Sequence, residues 1–212
     1  MRRPRFIAEQ ARHARGLLGR VIATIMARET WSQNLRAIGA LDVQPCDQVL
    51  DIGCGPGRSL AAFAGLAPGG RIVGADPSEL MAEIALARNR ALVQQRRVDV
   101  VVAGATALPF ADRSFDKALC VHVVYFWNDL AAALREIARV LKPGGRLALV
   151  FRTSADEAAV RSFPAEVYRF PALADVVTAL EGAGFAIDTQ DEKYSTNAAP
   201  MLLTAVKRHA IA

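Results

Sequence analysis

Little in this 212-residue chain can staple it or hold a metal. The three cysteines, Cys46, Cys54 and Cys120, are an odd number without paired spacing. They argue against a disulfide framework and for a reducing, cytoplasmic setting. The three histidines, His13, His122 and His209, lie far apart in sequence. No metal-ligand spacing results, and no metal is expected. No run of about 18 uncharged apolar residues occurs, which excludes a membrane-spanning helix. Internal repeats and low-complexity linkers are also missing. Acidic residues are scarce at the amino end, where Arg2, Arg3, Arg5, Arg12, Arg15 and Arg20 face only Glu9. That segment has no uninterrupted apolar core and no small-residue cleavage site, so no secretory signal is expected, although its composition admits a transit peptide.

What is present suits one ordinary α/β domain. The chain is 52% hydrophobic, enough to build a full core. Its net charge of +5 is a moderate bias toward anionic partners. Ala14, Leu17, Leu18, Val21, Ile22, Ile25 and Met26 recur at helical spacing. They predict a face that packs on the domain as a lid or accessory helix. The same basic helix offers a weak membrane-surface alternative. Residues 1–44 are therefore read as a helical extension and residues 45–212 as the main domain. A second helix is expected over residues 32–41. Strands are expected at 48–52, 71–75, 99–103, 115–121, 146–151, 185–189 and 202–207. Helices are expected at 58–66, from Ser78 to about residue 92, from Asn128 or Asp129 to Leu141, and at 173–183. Residues 153–171 read as irregular, and Pro143-Gly144 suits a type II turn. Such alternation predicts a mostly parallel sheet with helices on both faces.

Residues 49–57 carry the chemistry. A short apolar strand ends in Asp51, and Gly53, Gly55 and Gly57 follow at every second position. Glycine lets a ligand approach backbone N–H groups and accepts positive φ. The dinucleotide fingerprint is G-x-G-x-x-G, which seats a pyrophosphate on a helix N-terminus. Here the third glycine comes one residue early and an acid precedes the first. This pattern fits a cationic or amine-bearing ligand better than a phosphate. Asp76 ends the second strand, one βα unit later. A carboxylate there can accept two hydrogen bonds from a ribose diol. It can also simply hold its own Asp-Pro-Ser turn and cap the next helix.

Four segments, in order, make the chain resemble the class I S-adenosylmethionine-dependent methyltransferases that act on small molecules. They are residues 49–57, then Val73-Gly74-Ala75-Asp76-Pro77-Ser78, then Leu108-Pro109-Phe110 with Ser114-Phe115-Asp116, then Arg139-Val140-Leu141-Lys142-Pro143-Gly144-Gly145. The resemblance spans about residues 45–208. It implies a Rossmann-like, seven-stranded sheet whose last strand is antiparallel, with S-adenosyl-L-methionine as cofactor. It further implies methyl transfer to a small-molecule acceptor on O, N, S or C. Gly53, Gly55, Gly57 and the Cys54 backbone would surround the methionine portion, with Asp51 toward its amine. Asp76 and Pro77 would meet the ribose, and Met81 the adenine. Where the family commonly has an acid for the adenine amino group, this chain has Gly104. Backbone groups of Gly104, Ala105 and Thr106 remain to edge the base.

The segment after the fourth strand, Cys120 to Trp127, would face the transferred methyl group. His122 is the candidate general base or else a hydrogen-bonded structural histidine. His13, Tyr125, Trp127 and Arg152 are candidate acceptor contacts, and Phe126 and Trp127 are alternatively core. A nicotinamide oxidoreductase is disfavoured by the glycine spacing. With no appended recognition domain, no nucleic-acid partner is expected. The competing reading is a catalytically inactive S-adenosylmethionine-binding or partner-binding module. Oligomeric state is not legible.

Overall fold

The computed structural model describes residues 4–190 and 200–209. Three helices come first: α1 (Arg5–Arg12), α2 (Gly16–Glu29) and α3 (Trp31–Ala40). Then β1 (Val49–Ile52), α4 (Arg58–Leu66), β2 (Ile72–Asp76), α5 (Glu79–Arg88), α6 (Arg90–Gln94), β3 (Val98–Val102) and β4 (Phe115–Val121) follow. The remainder is α7 (Leu130–Val140), β5 (Leu141–Phe151), α8 (Glu157–Ser162), α9 (Leu173–Gly182), β6 (Phe185–Gln190) and β7 (Met201–Lys207).

The strands form one sheet in the order β3-β2-β1-β4-β5-β7-β6. The first five pair in parallel, and β7 lies antiparallel between β5 and β6. The chain leaves β1 toward β2 on one side and later returns to β4 on the other. Such a reversal opens a crevice at the carboxyl ends of β1 and β4. All four residues of β1 are buried. Their side chains alternate between two apolar layers. Leu50 and Ile52 join the layer under α7 and α9, with Leu134, Ile137, Val176 and Leu180. Val49 joins the layer under α3, α4 and α5, with Ala37, Ile38, Leu60, Phe63 and Ala85. Helix α3 is thus packed into the sheet domain, while α1 and α2 lie over the end of it that holds the crevice.

Two of the chain's motif segments act as clamps. Lys142 Nζ donates to both Asp116 oxygens at 2.8 Å, and Asp116 Oδ2 also accepts from the Gln48 N–H at 2.9 Å. Residues 142–145 bulge out of β5, since Phe115 pairs with Leu141 but Lys117 with Arg146. Gly144 takes the left-handed φ of 77° that the expected turn needs. Arg139 donates to the Leu108 and Phe110 carbonyls and to Glu136 and Asp112, fixing the loop that contains Leu108-Pro109-Phe110.

Three expectations are corrected. The helix from Ser78 does not run to residue 92, because it ends at Arg88 and bends into α6 at Asn89. Asn89 turns its Nδ2 to the Gly57 carbonyl at 2.9 Å. Residues 153–171 are not wholly irregular, because Asp156 caps α8 through the Ala159 N–H. Leu17, Leu18, Val21 and Ile25 do not pack on the domain, being 45–82% exposed, and Gly19, Ile22 and Ala23 face inward instead.

Gly57 shows how tightly the glycine turn is packed. Its φ is +69°, and a Cβ there would stand 2.6 Å from the Ala85 Cβ. Gly57→Ala should therefore destabilise the protein by about 2–4 kcal/mol, combining left-handed strain and overpacking. Chemical denaturation checks this.

Candidate active site

The crevice is a cleft of about 860 Å³ at the carboxyl ends of β1, β2 and β4. Two buried carboxylates form its floor. Asp51 is 4% exposed and accepts a hydrogen bond from the Ser59 hydroxyl at the start of α4. Burial pushes its carboxyl up to about 7, against the pull of the Ser59 bond, and the charge of Asp76 adds to the rise. Asp76 accepts from the Gly55 N–H on one oxygen and the Ser78 N–H on the other, both at 2.9 Å. Burial raises its pKa too, while those two N–H groups and His13 oppose the rise. Each oxygen keeps a second lone pair for a ligand hydroxyl or amine.

Glycines shape the wall between the acids. Gly53 and Gly55 adopt left-handed φ of 72° and 52°. The Gly53 N–H donates to the Ala75 carbonyl at 2.7 Å, which extends the β1–β2 pairing into the turn. The Cys54 thiol is buried against Gly74, where a Cβ would stand 2.7 Å from Sγ. Burial, then Asp51 and Asp76, push that thiol well up, so it is a packing group and not a nucleophile. On the far side the Ala103 N–H donates to the Asp76 carbonyl at 3.1 Å. Gly104, Ala105 and Thr106 line the cleft, and open space surrounds Gly104 where a Cβ would be. Pro77 and Met81 line it as well.

Of the other expected residues, His13, His122 and Trp127 reach the cleft. Gly57, Cys120, Tyr125 and Arg152 are not among its lining residues. Gly57 packs on α5. Cys120 is fully buried beside β1, and the next three residues face the cleft in its place. Tyr125 is buried against Phe126, Tyr168 and Phe170. Arg152 pairs with Asp156.

His122 sits in the left-handed region at φ 59°. Its Nδ1 lies 2.9 Å from the Tyr125 hydroxyl, and its Nε2 meets Gln33 Oε1 on α3. The Tyr125 oxygen already accepts from the Arg152 N–H at 2.6 Å, so its proton points to Nδ1. The imidazole is then the neutral tautomer that donates from Nε2 to Gln33. Burial, with Arg152 nearby, lowers its pKa to about 4. Both ring nitrogens are engaged.

Several lining residues carried no signal in sequence. Arg58 stacks its guanidinium 4.1 Å from the Trp31 ring centroid and donates to the Ala27 carbonyl at 3.3 Å. It thereby ties α4 to the α2–α3 junction. Ser78 Oγ donates to the Ala14 carbonyl at 2.8 Å, tying the β2–α5 turn to the amino-terminal segment. Nothing in the spacing links Trp31, Gln33 or Ser59 to the glycine turn, because tertiary packing alone brings them together.

Residues 50–149 match the model of the methyltransferase domain family. The chain is 39% identical over 122 residues to the methyltransferase GfsG of Streptomyces halstedii, covering 56% of this chain and 44% of that protein. It is 40% identical over 115 residues to the O-methyltransferase resE of Aspergillus sclerotiorum, covering 54% of this chain and 43% of that one. Across its middle portion the chain is therefore similar to methyltransferase domains. It spans less than half the length of these two relatives. The fold is shared with the geranyl diphosphate C-methyltransferase of Streptomyces coelicolor, with a TM-score of 0.71 and 19% identity over 86% of this chain and 80% of that one. The expected Rossmann-like seven-stranded sheet is the one observed.

A buried acid titrating near neutrality gives this chain a pH signature. An unfolded aspartate loses its proton near 3.9, whereas Asp51 keeps its proton to about 7. Between those values the native state binds more protons than the unfolded one, so this contribution to stability falls as pH rises. It is fully present below about pH 4 and lost through about pH 7. Asp51→Asn removes the slope. Melting temperatures from pH 4 to 8 should thus swing in favour of the variant as pH rises, and a constant difference would mean that Asp51 is ionised throughout.

Proposed function

We propose that this chain transfers a methyl group from S-adenosyl-L-methionine to a small-molecule acceptor. The observation that carries the reading is the pair of buried carboxylates, Asp51 and Asp76, flanking a glycine turn on the floor of one cleft. In this reading Asp76 uses its remaining lone pairs on the ribose diol. Asp51 faces the methionine amine, whose positive charge would favour the ionised acid. Gly53, Gly55 and the Cys54 backbone let the methionine portion lie close to the chain. Met81 and the Gly104–Thr106 backbone bracket the adenine. When bound, the cofactor supplies a methyl group already activated on a sulfonium.

The chain's own part is alignment and dryness. Trp31, Phe126 and Trp127 give the cleft apolar walls, and α1 and α2 act as its cover. Such walls suit an acceptor that brings apolar surface, and the sulfonium charge that disperses during transfer favours a water-poor site. The matched proteins named as methyltransferases support the activity. A cytoplasmic setting agrees with three free thiols.

His122 is assigned a positioning role, holding α3 to the end of β4 through Gln33, rather than removal of a proton. His122→Ala should lower stability by roughly 1–3 kcal/mol with a comparatively small loss of kcat. A fall in kcat of about 10²–10⁴-fold with stability kept would restore the general base. The reading as a whole is tested by titration calorimetry with S-adenosyl-L-methionine and turnover with labelled cofactor. Asp76→Ala should weaken binding by roughly 2–4 kcal/mol through lost charged hydrogen bonds. Unchanged affinity would overturn the assignment.

A further inference from the structure

We infer that helix α2 is an interfacial helix that lays an exposed aliphatic stripe on an anionic lipid surface. The stripe is built by Leu17, Val21 and Ile25 at i, i+4 and i+8, with Leu18 beside them. Leu17 is 82% exposed, Val21 56%, Ile25 50% and Leu18 45%. A helix that only covers a core shows polar residues on its outer side. This one carries the aliphatic stripe on its outer side, next to the exposed Arg20, Thr24 and Arg28. Its inner side, Gly19, Ile22 and Ala23, packs on the domain, and Ala23, Met26 and Ala27 line the cleft. The bare side is not a scattered surface feature either. Among the described residues, six of the nine exposed large hydrophobics, Phe6, Leu17, Leu18, Val21, Ile25 and Leu35, fall in the first three helices.

Charge decides what covers it. The exposed Arg12, Arg15 and Arg28 surround the stripe in sequence, Arg20 beside it pairs with Glu83 of α5, and acids in residues 4–29 are limited to Glu9 and Glu29. Aliphatic side chains fringed by guanidinium groups match acyl chains beneath anionic headgroups. A second copy of the chain would bring the same arginines against themselves, which like-charge repulsion disfavours. At 14 residues α2 is about 21 Å long. Among the described residues no helix is long and apolar enough to cross a membrane, so the helix would lie flat. Its inner side would then place the cleft directly behind the lipid surface.

The inference goes beyond the methyl-transfer reading, and its test needs no turnover, so either can fail alone. The full chain is sedimented with phosphatidylcholine vesicles, with and without an equal share of phosphatidylglycerol, at low and high salt. Leu17→Ser/Val21→Ser/Ile25→Ser and Arg15→Glu/Arg28→Glu variants are compared, with circular dichroism melts showing that these exposed changes leave the fold intact. The chain should pellet with the anionic vesicles, less so at high salt. The serine variant should partition roughly tenfold or more weaker, and the charge variant should lose most of the preference for the anionic lipid. A chain that stays in the supernatant, or a serine variant that pellets like the parent, overturns the inference. So does a dimer in sedimentation velocity that the serine variant dissociates while vesicles bind neither, which would assign the stripe to a second copy.

Discussion

The Gly55 N–H reaches across from the β1 turn to the Asp76 carboxylate at the end of β2, at 2.9 Å. The other oxygen of the same carboxylate receives the Ser78 N–H that opens α5. One side chain thus joins the glycine turn, a strand end and a helix start. Further ties follow from that junction. Ser78, placed by Asp76, holds the Ala14 carbonyl, and Asn89 at the far end of α5 holds the Gly57 carbonyl. The glycine turn is therefore fixed at two points before any ligand arrives. A turn held in this way needs no ordering when a ligand approaches it.

A second group of residues works at a distance from the cleft. Arg139 braces the loop after β3 through two backbone carbonyls, and the Leu108 N–H donates to Glu136 at 2.8 Å. Hydrogen bonding to Arg139 holds the Glu136 carboxyl below its usual range. Lys142 and Asp116 lock the amino ends of β4 and β5 to the start of β1. These are the residues of the third and fourth motif segments. Their service is to hold the loop and strands that present Gly104–Thr106, so a motif can mark a family by its scaffolding as much as by its chemistry.

The sheet was legible because its signals are local. Short apolar runs mark β1 to β4 to within a residue or so, with Gly, Asp or Pro at or just past the ends of β1 to β3, and Ser78 and Asp129 cap the helices expected to start there. The lining of the cleft was legible where strand ends and turns make it, at Asp51, Gly53, Gly55, Asp76 and Gly104–Thr106. It was illegible where the decisive partner is remote. Gln33 and His122 are 89 positions apart, and Arg58 finds Trp31 only because α3 packs on the sheet. Tyr125 and Arg152 looked like cleft residues from their place after β4 and β5, but the aromatic cluster with Tyr168 and Phe170 draws Tyr125 inward. Periodicity also showed α2 to be apolar without telling which side turns inward. Gly19 settles that, since a Cβ there would press on Gln10, Ala14 and Leu80.

Two buried carboxylates at one site are an internal cost for the protein alone, since burial opposes the charge on both and the charge of Asp76 raises Asp51 further. A cationic ligand seated between them, as the proposed function requires, would relieve that cost. The occupied form would then gain stability from the removal of a strain as well as from new contacts. Proteolysis acts mainly on opened molecules. The lifetime of this chain should accordingly follow the supply of its ligand, with starvation for the small molecule shortening the survival of the protein itself.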